Sequence, residues 1–469
     1  MTFPASADEF YRRRDDRTNR YISSREYQRA RCVVTIGSAA IHTRNGQTTL
    51  LVACNLLSRW CRHVEVVLAP DDLDAADVRG GKLADEVMRV MHDADPFGAF
   101  SWSDGQVTAD ALRLHIGFLP MGSDPQVTVI NGGGWLAGLG APFCATAFEA
   151  KDLNIIGSIG AACLGVAQVF KRAMGTSTDG LIRDGLFDLF NLEWLSTTAA
   201  GERGPIVRNI QPGRILLVGG GAVGSSFAYC VSLATVQCEI GVVDNDLVLI
   251  ENFNRSPIFG KSTFGTPKAD VVRDALRSAS VAAYSFPTSW NEFIAVHAKE
   301  ARECDVWLPL ANEDNVRASI QNNVPPLLIY AATNSNWGAS HGRWIPGRDD
   351  CLMDRFPMDG GGSVLQCSTS EIETKEGRAD AALPFLSMFA GLMVFADLVR
   401  LQIRGYPQVP NYCLIDFGGR LDTVQKWDMH PRENCGCKNL SPALYKALNR
   451  LSKYFGLAFP ESRPAPPKT

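Results

Sequence analysis

Nowhere in these 469 residues is there an apolar run of bilayer length. The two best candidates, residues 155–170 and 383–399, fall short of the roughly 20 residues that a spanning helix needs, and Ser158, Gln168 and Asp397 interrupt them. Both read better as buried helices. No amino-terminal hydrophobic signal precedes the basic run Arg12-Arg13-Arg14, so neither export nor a membrane anchor is expected. An excess of charge is missing too. A formal net charge of −4 gives no electrostatic case for nucleic acid or an anionic membrane as a partner. Thirteen cysteines with no export signal point to a reducing, cytoplasmic setting. Of these, Cys54, Cys163 and Cys230 sit in apolar helical surroundings and read as core residues. A chain with 46% hydrophobic and 20% charged residues is globular in composition, and its length suits two or three domains.

What the chain does contain is a nucleotide-binding pattern. Arg214-Ile-Leu-Leu-Val-Gly-Gly-Gly-Ala-Val-Gly224 reads as a strand, a glycine turn and a helix start. Gly219, Gly221 and Gly224 fit G-x-G-x-x-G, where missing side chains let backbone N–H groups approach a phosphate. Val243-Asp-Asn-Asp246 ends the next strand, and Asp244 stands 20 residues past Gly224, where a ribose-binding acid is expected. That much fits an NAD or FAD enzyme equally well. The continuation does not. Glu251-Asn-Phe-Asn-Arg255, then Phe264-Gly-Thr-Pro-Lys268, then Asn312-Glu-Asp-Asn315 after an apolar run supply two cations and a carboxylate. Attack on the α-phosphate of ATP needs cations for phosphate oxygens and a carboxylate for magnesium at a strand's carboxyl end.

The blocks G-x-G-x-x-G, D-x-D, N-x-x-R, G-x-x-K and D-N, in that order between Gly219 and Asn315, resemble the ThiF/MoeB/ubiquitin-activating superfamily. The resemblance implies that Asp244 binds the ATP ribose, that Asn252 lies near the phosphates, that Arg255 and Lys268 hold phosphate oxygens, and that Asp314 holds magnesium. Asp246 reads as structural, and Asp314 also suits the start of a helix over 315–320. Members work as dimers of adenylation folds or as pseudo-dimers with one worn half. Here residues 32–36, 47–60 and 63–68 read as strand, helix and strand, 126–130 as a further strand, and 157–174 as an apolar helix. The glycines linking the first strand and helix have the wrong spacing for a phosphate cradle, and D-x-D and N-x-x-R are missing. The fold class expected is therefore α/β, with two Rossmann-like adenylation halves: an inactive one over 1–200 and an active one over 211–440. A linker is expected over 199–205. Arg20-Tyr-Ile-Ser-Ser-Arg25 is similar, with one inserted residue, to the R-Y-x-R-Q start of such a domain. In the family an arginine from that start crosses to the partner's ATP, which makes Arg20 or Arg25 the candidate; a solvated basic segment is the alternative.

A second chemical centre is expected at Cys367, in the polar stretch Ser363-Val-Leu-Gln-Cys-Ser-Thr-Ser-Glu371 ahead of an apolar helix near 386–400. In ubiquitin-activating relatives the crossover loop, here near 363–382, bears the reactive thiol, and a thiolate there can take an acyl group as a thioester. Relatives also carry two C-x-x-C pairs that bind zinc. Here Cys351-Leu-Met-Asp354 and Cys435-Gly-Cys437 stand in their places. Both a three-cysteine site completed by Asp354, His430 or Cys367 and a lost zinc site are compatible with that pattern.

The function this implies is ATP-dependent adenylation of the carboxyl-terminal glycine of a ubiquitin-like protein, then thioester formation on Cys367 and transfer to a conjugating enzyme. The expected style is compact and bacterial. Only residues 441–469, a helix-like stretch and a Pro-rich tail, follow the active half, so a conjugating enzyme is expected to dock elsewhere. A homodimer is compatible but not required for one active site. Three rivals stay open: sulfur-carrier or peptide adenylation without conjugation, a dinucleotide-dependent oxidoreductase, and a scaffold that merely binds nucleotide.

Overall fold

The computed structural model describes residues 2–20, 25–69, 72, 75–76, 81–103, 110–119, 124, 126–141, 143, 154–177, 180–182, 184–195, 204–334, 336–355, 373–374, 377–378, 383–403, 410–419, 424–431, 448–449, 451 and 454. Two eight-stranded sheets organise it. The first contains β1 (Arg31–Ile36), β2 (His63–Val67), β3 (Ala99–Ser103), β4 (Leu112–Ile116), β5 (Val127–Gly133), β6 (Leu136–Leu139), β7 (Gly185–Asp188) and β8 (Glu193–Leu195). The second contains β9 (Gly213–Val218), β10 (Cys238–Val243), β11 (Ala282–Phe286), β12 (Val306–Pro309), β13 (Leu328–Thr333) and β14 (Gly338–Trp344). A two-stranded ladder, β15 (Glu373–Thr374) with β16 (Gly377–Arg378), stands apart from both. β17 (Tyr412–Asp416) and β18 (Gln425–Trp427) complete the second sheet.

The strand orders are β3-β2-β1-β4-β5-β6-β7-β8 and β11-β10-β9-β12-β13-β14-β17-β18, one pattern used twice. In each, five parallel strands give way to three antiparallel ones. The repeat extends to single hydrogen bonds. Leu189 donates its N–H to the Trp135 carbonyl at 2.9 Å, and Phe417 donates its own to Trp337 at 2.8 Å. The segments around these donors also echo each other, Gly185-Leu-Phe-Asp-Leu189 against Cys413-Leu-Ile-Asp-Phe417. The two Rossmann-like halves expected from the sequence are thus present.

Residue chemistry explains the layering. β9 carries the run Ile215-Leu-Leu-Val218, all four buried, as a central parallel strand covered on both faces must. Helices Ile156–Ala173 and Pro384–Arg400 are buried nearly end to end and join the halves across the middle of the molecule. Proline opens the second at its first position, where no intrahelical N–H is needed. Their carboxyl ends reach across reciprocally. Lys171 donates to the Gly418 carbonyl at 3.0 Å, and Arg400 donates to the Leu189 carbonyl at 3.3 Å. Cys54, Cys163 and Cys230 are buried as expected. Among the described residues no helix is long and apolar enough to cross a membrane.

Several boundaries shift by a few residues. The helix expected over 47–60 is Arg44–Ser58, because Thr43 caps it, accepting the Gly46 N–H at 3.0 Å. The stretch after 176 contains β7 and β8; both are short and lack alternation. The expected linker falls largely outside the described residues, as does most of 441–469.

Candidate functional site

In an open α/β sheet, ligands bind at the carboxyl ends of the strands where the order reverses. In the second sheet that point is β9, which has β10 on one side and β12 on the other. Gly219 follows β9 with φ +97°, a left-handed conformation suited to glycine. A Cβ there would also fall 2.4 Å from the Ala311 nitrogen in the loop after β12. A Cβ on Gly224 would fall 2.0 Å from the Gly219 carbonyl oxygen, so only glycine lets the helix Ala222–Leu233 close onto the turn. A Cβ on Gly221 would meet nothing within 4 Å. The turn therefore opens to space at a helix amino terminus, the geometry that receives a phosphate.

The first half has no such cradle. After β1 the chain enters a one-turn helix, Ser38–Ile41, and the Ala40 carbonyl lies 2.0 Å from where a Gly46 Cβ would stand. That close approach matches the one between Gly224 and Gly219 in the second half; what the first half lacks is the glycine turn itself, its place taken by the one-turn helix.

Asp244 follows β10 and braces the glycine turn. Its carboxylate accepts the Gly220 N–H at 2.7 Å and the Asp246 N–H at 2.8 Å. Burial raises its carboxyl above the ordinary value, against the lowering effect of Lys268. Lys268 opens the helix Lys268–Ser278, is buried, and pairs through Nζ with Asp246 at 2.7 Å. Its spacing from Arg255 has a physical basis. Val248 donates to the Thr266 carbonyl and Gly265 to Val248, each at 2.9 Å, closing residues 249–264 into one excursion with Lys268 at its foot.

Arg255 and Asn252 lie inside that excursion. Asn252 Oδ1 accepts the Leu249 N–H at 2.9 Å and shapes the 3-10 turn Ile250–Asn252. Arg255 is buried and donates to the Asn254 side chain at 2.8 Å and to the Glu251 carbonyl. Asp314 is the first residue of the helix Asp314–Asn322, one position inside the cap at Glu313. The preceding loop is tied to the glycine turn, because Leu310 and Ala311 donate to the Val218 carbonyl at 2.8 and 3.0 Å. The backbone therefore brings the glycine turn, Asp244, Lys268, the Arg255 excursion and Asp314 to one end of one sheet.

The first half reaches into this site at points the sequence reading did not find. Helix Ala7–Arg14 lays Arg13 against Glu251, Nε to Oε1 at 2.8 Å, and the Asn254 amide donates to Thr18 at 3.1 Å. Arg59 and Asn55 bond the backbone of the excursion. Among these only Arg13 left a trace in the sequence, as part of a basic run. Arg20 pairs with Asp16 at 2.5 Å, and Arg25 is exposed ahead of the 3-10 turn Glu26–Arg29.

Cys367, Cys435 and Cys437 lie outside the described residues, as do the side chain of Asp354 and most of the crossover loop. Cys351 is half-buried and His430 exposed. Among the described residues no group of three or more metal-ligating side chains comes together.

Comparison with known proteins matches this layout. The ThiF family profile matches residues 195–438, and that of the BilD N-terminal domain matches residues 31–189. A curated relative, uncharacterized protein y4jF of Sinorhizobium fredii, is 29% identical over 140 residues. That match spans 30% of this chain and 27% of the relative. Among solved structures, E. coli MccB with MccA-N7isoASN shares 14% identity at a TM-score of 0.37, covering 48% of this chain and 67% of that one. E. coli MccB with ATP shares 16% identity at 0.37, covering 48% and 66%. At these values the structural likeness bears on neither function nor substrate. With its profile matched over more than half of the chain, and with the strand order and site geometry in place, the protein belongs to the ThiF family.

Proposed function

We propose that this chain is an ATP-dependent adenylating enzyme that activates the carboxyl-terminal glycine of a ubiquitin-like protein. The observation that carries the reading is the convergence at the end of β9: an open glycine turn at a helix amino terminus, a braced acid at Asp244, and two buried cations, Arg255 on the closed excursion and Lys268 at its foot. ATP fits these groups. Gly221 faces open space for phosphate, and the Asp244 oxygens retain lone pairs for ribose hydroxyls. Magnesium, placed at Asp314, would neutralise phosphate charge. In the first step the acceptor's carboxylate attacks the α-phosphorus, pyrophosphate leaves, and an acyl-adenylate remains. Alignment and charge neutralisation by the protein suffice for this. In the second, the Cys367 thiolate attacks the acyl carbon and AMP leaves, giving a thioester for a conjugating enzyme.

The form of the first half supports activation of a ubiquitin-like protein over sulfur-carrier adenylation. Its first strand runs into a one-turn helix in place of a glycine turn, which makes the chain a pseudo-dimer with one site, whereas sulfur-carrier relatives generally pair two active copies. The match to the BilD N-terminal domain over that half sets it apart from a second ThiF copy. The oxidoreductase reading finds no support in the family. The test is incubation with MgATP and a ubiquitin-like protein ending in glycine. A reductant-sensitive adduct is expected that Cys367→Ala loses while pyrophosphate exchange persists. Exchange without any adduct in the wild type would favour direct transfer to a sulfur carrier or peptide.

A further inference from the structure

We propose that Arg59, on the inactive half, is a positioning residue that sets the geometry of the Arg255 excursion on the active half. This rests on the adenylation reading above. Arg59 extends from the end of the helix Arg44–Ser58 and is 2% exposed. All four of its bonds go to neutral oxygens. Nε donates to Asn55 Oδ1 at 2.7 Å, Nη1 to the carbonyls of Phe253 at 2.6 Å and Phe259 at 3.1 Å, and Nη2 to the Pro257 carbonyl at 2.7 Å. The three carbonyls bracket Arg255 in sequence. Asn55 adds a fourth tie, donating to the same Pro257 carbonyl at 3.0 Å.

Desolvating a guanidinium without a paired carboxylate costs free energy; here burial pushes Arg59 down to about 9, still protonated at neutral pH. A planar fork of N–H donors holds Asn55 and three carbonyls in fixed directions, a geometry that the single ammonium of a lysine does not reproduce. A second grip acts from the opposite polarity. Asp93, at the end of the helix Leu83–Ala94, accepts the Ser262 N–H at 2.7 Å. It packs so closely that a Cβ on Gly260 would fall 2.4 Å from its carboxylate. The inactive half thus holds the excursion by its carbonyls at 253–259 and by its amide at 262. Having lost its own cradle, that half serves as a rigid jig for the phosphate-binding cations.

Calorimetric titration of the full chain with MgATP and, separately, with adenosine tests this. Adenosine carries no phosphate, so it reports the pocket without the cations. Arg59→Lys and Gly260→Ala strike the excursion from different sides, so the test survives if one variant fails to fold. Each is expected to weaken MgATP about tenfold, the cost of a misplaced charge-assisted bond, and to leave adenosine within about twofold. Added to Arg255→Ala, Arg59→Lys is expected to cost nothing further, because coupled residues are non-additive. Equal losses for MgATP and adenosine, or full additivity with Arg255→Ala, would overturn the inference. Variants that bind like a binding-competent wild type would overturn it alone. A wild type that binds no MgATP would overturn the adenylation reading and this inference with it.

Discussion

Replacing Lys268 by methionine separates binding from stability. Lys268 is 8% exposed, and its Nζ pairs with an Asp246 side chain that is itself 62% exposed. A pair with one partner so open to solvent contributes at most about 1 kcal/mol. Methionine keeps an unbranched apolar stem in the same space. The fold should therefore lose under about 1 kcal/mol, a melting shift of a few degrees at most. Nucleotide binding should suffer far more. A lost bond from an ammonium to phosphate costs about 1.5–3 kcal/mol, or about ten- to a hundredfold in Kd. A second effect has a definite sign. The Asp244 carboxyl is already raised by burial, and Lys268 is the cation that lowers it. Without that cation Asp244 protonates at higher pH. MgATP affinity of the variant should then begin to fall at a higher pH on acidification than that of the wild type. Calorimetry across pH and a thermal melt measure all three quantities. A variant with a greatly lowered melting temperature and unchanged MgATP affinity would refute the reasoning, because Lys268 would then be a structural lysine.

The glycine turn and a buried ionic cluster give further tests. Gly224→Ala places a Cβ 2.0 Å from the Gly219 oxygen, so MgATP binding should be lost in calorimetry while circular dichroism shows the sheets retained. Asp397 is fully buried; burial alone would raise its carboxyl, but Arg343, His341 and Arg400 hold it well below the ordinary carboxylate range. A depressed pKa adds stability above the unfolded value of about 3.9 that is lost as pH falls below it. The wild type should show that loss in acid denaturation. Asp397→Asn should lack it and be less stable at neutral pH by about 3–5 kcal/mol, the usual cost of breaking a buried ion pair.

The parts of the site that lie on one stretch of chain were legible. Gly219 and Gly224 announce a turn because only glycine tolerates such close approaches, Gly221 marks the open space beside them, and β9 announces itself by an unbroken apolar run. The thirteen-residue gap between Arg255 and Lys268 is legible as a pattern, though its cause, the ladder between Val248 and Gly265–Thr266, appears only in three dimensions. The cross-half contacts were not legible. Arg59 closes a helix that is buried along nearly its whole length, and nothing local says that its guanidinium turns toward carbonyls about 200 residues on. Asp93 and Arg13 read as ordinary helix-end charges for the same reason. β7 and β8 escaped notice because four- and three-residue strands give too few positions to show a period.

The central claim is that the end of β9 is an adenylation site for a protein's carboxyl terminus. The most direct measurement is ATP–pyrophosphate exchange by the purified chain in the presence of a ubiquitin-like protein. Exchange that requires the acceptor's terminal glycine, and that Arg255→Ala removes, is the predicted result. Tight binding of NAD, with no MgATP binding and no exchange, would contradict the account.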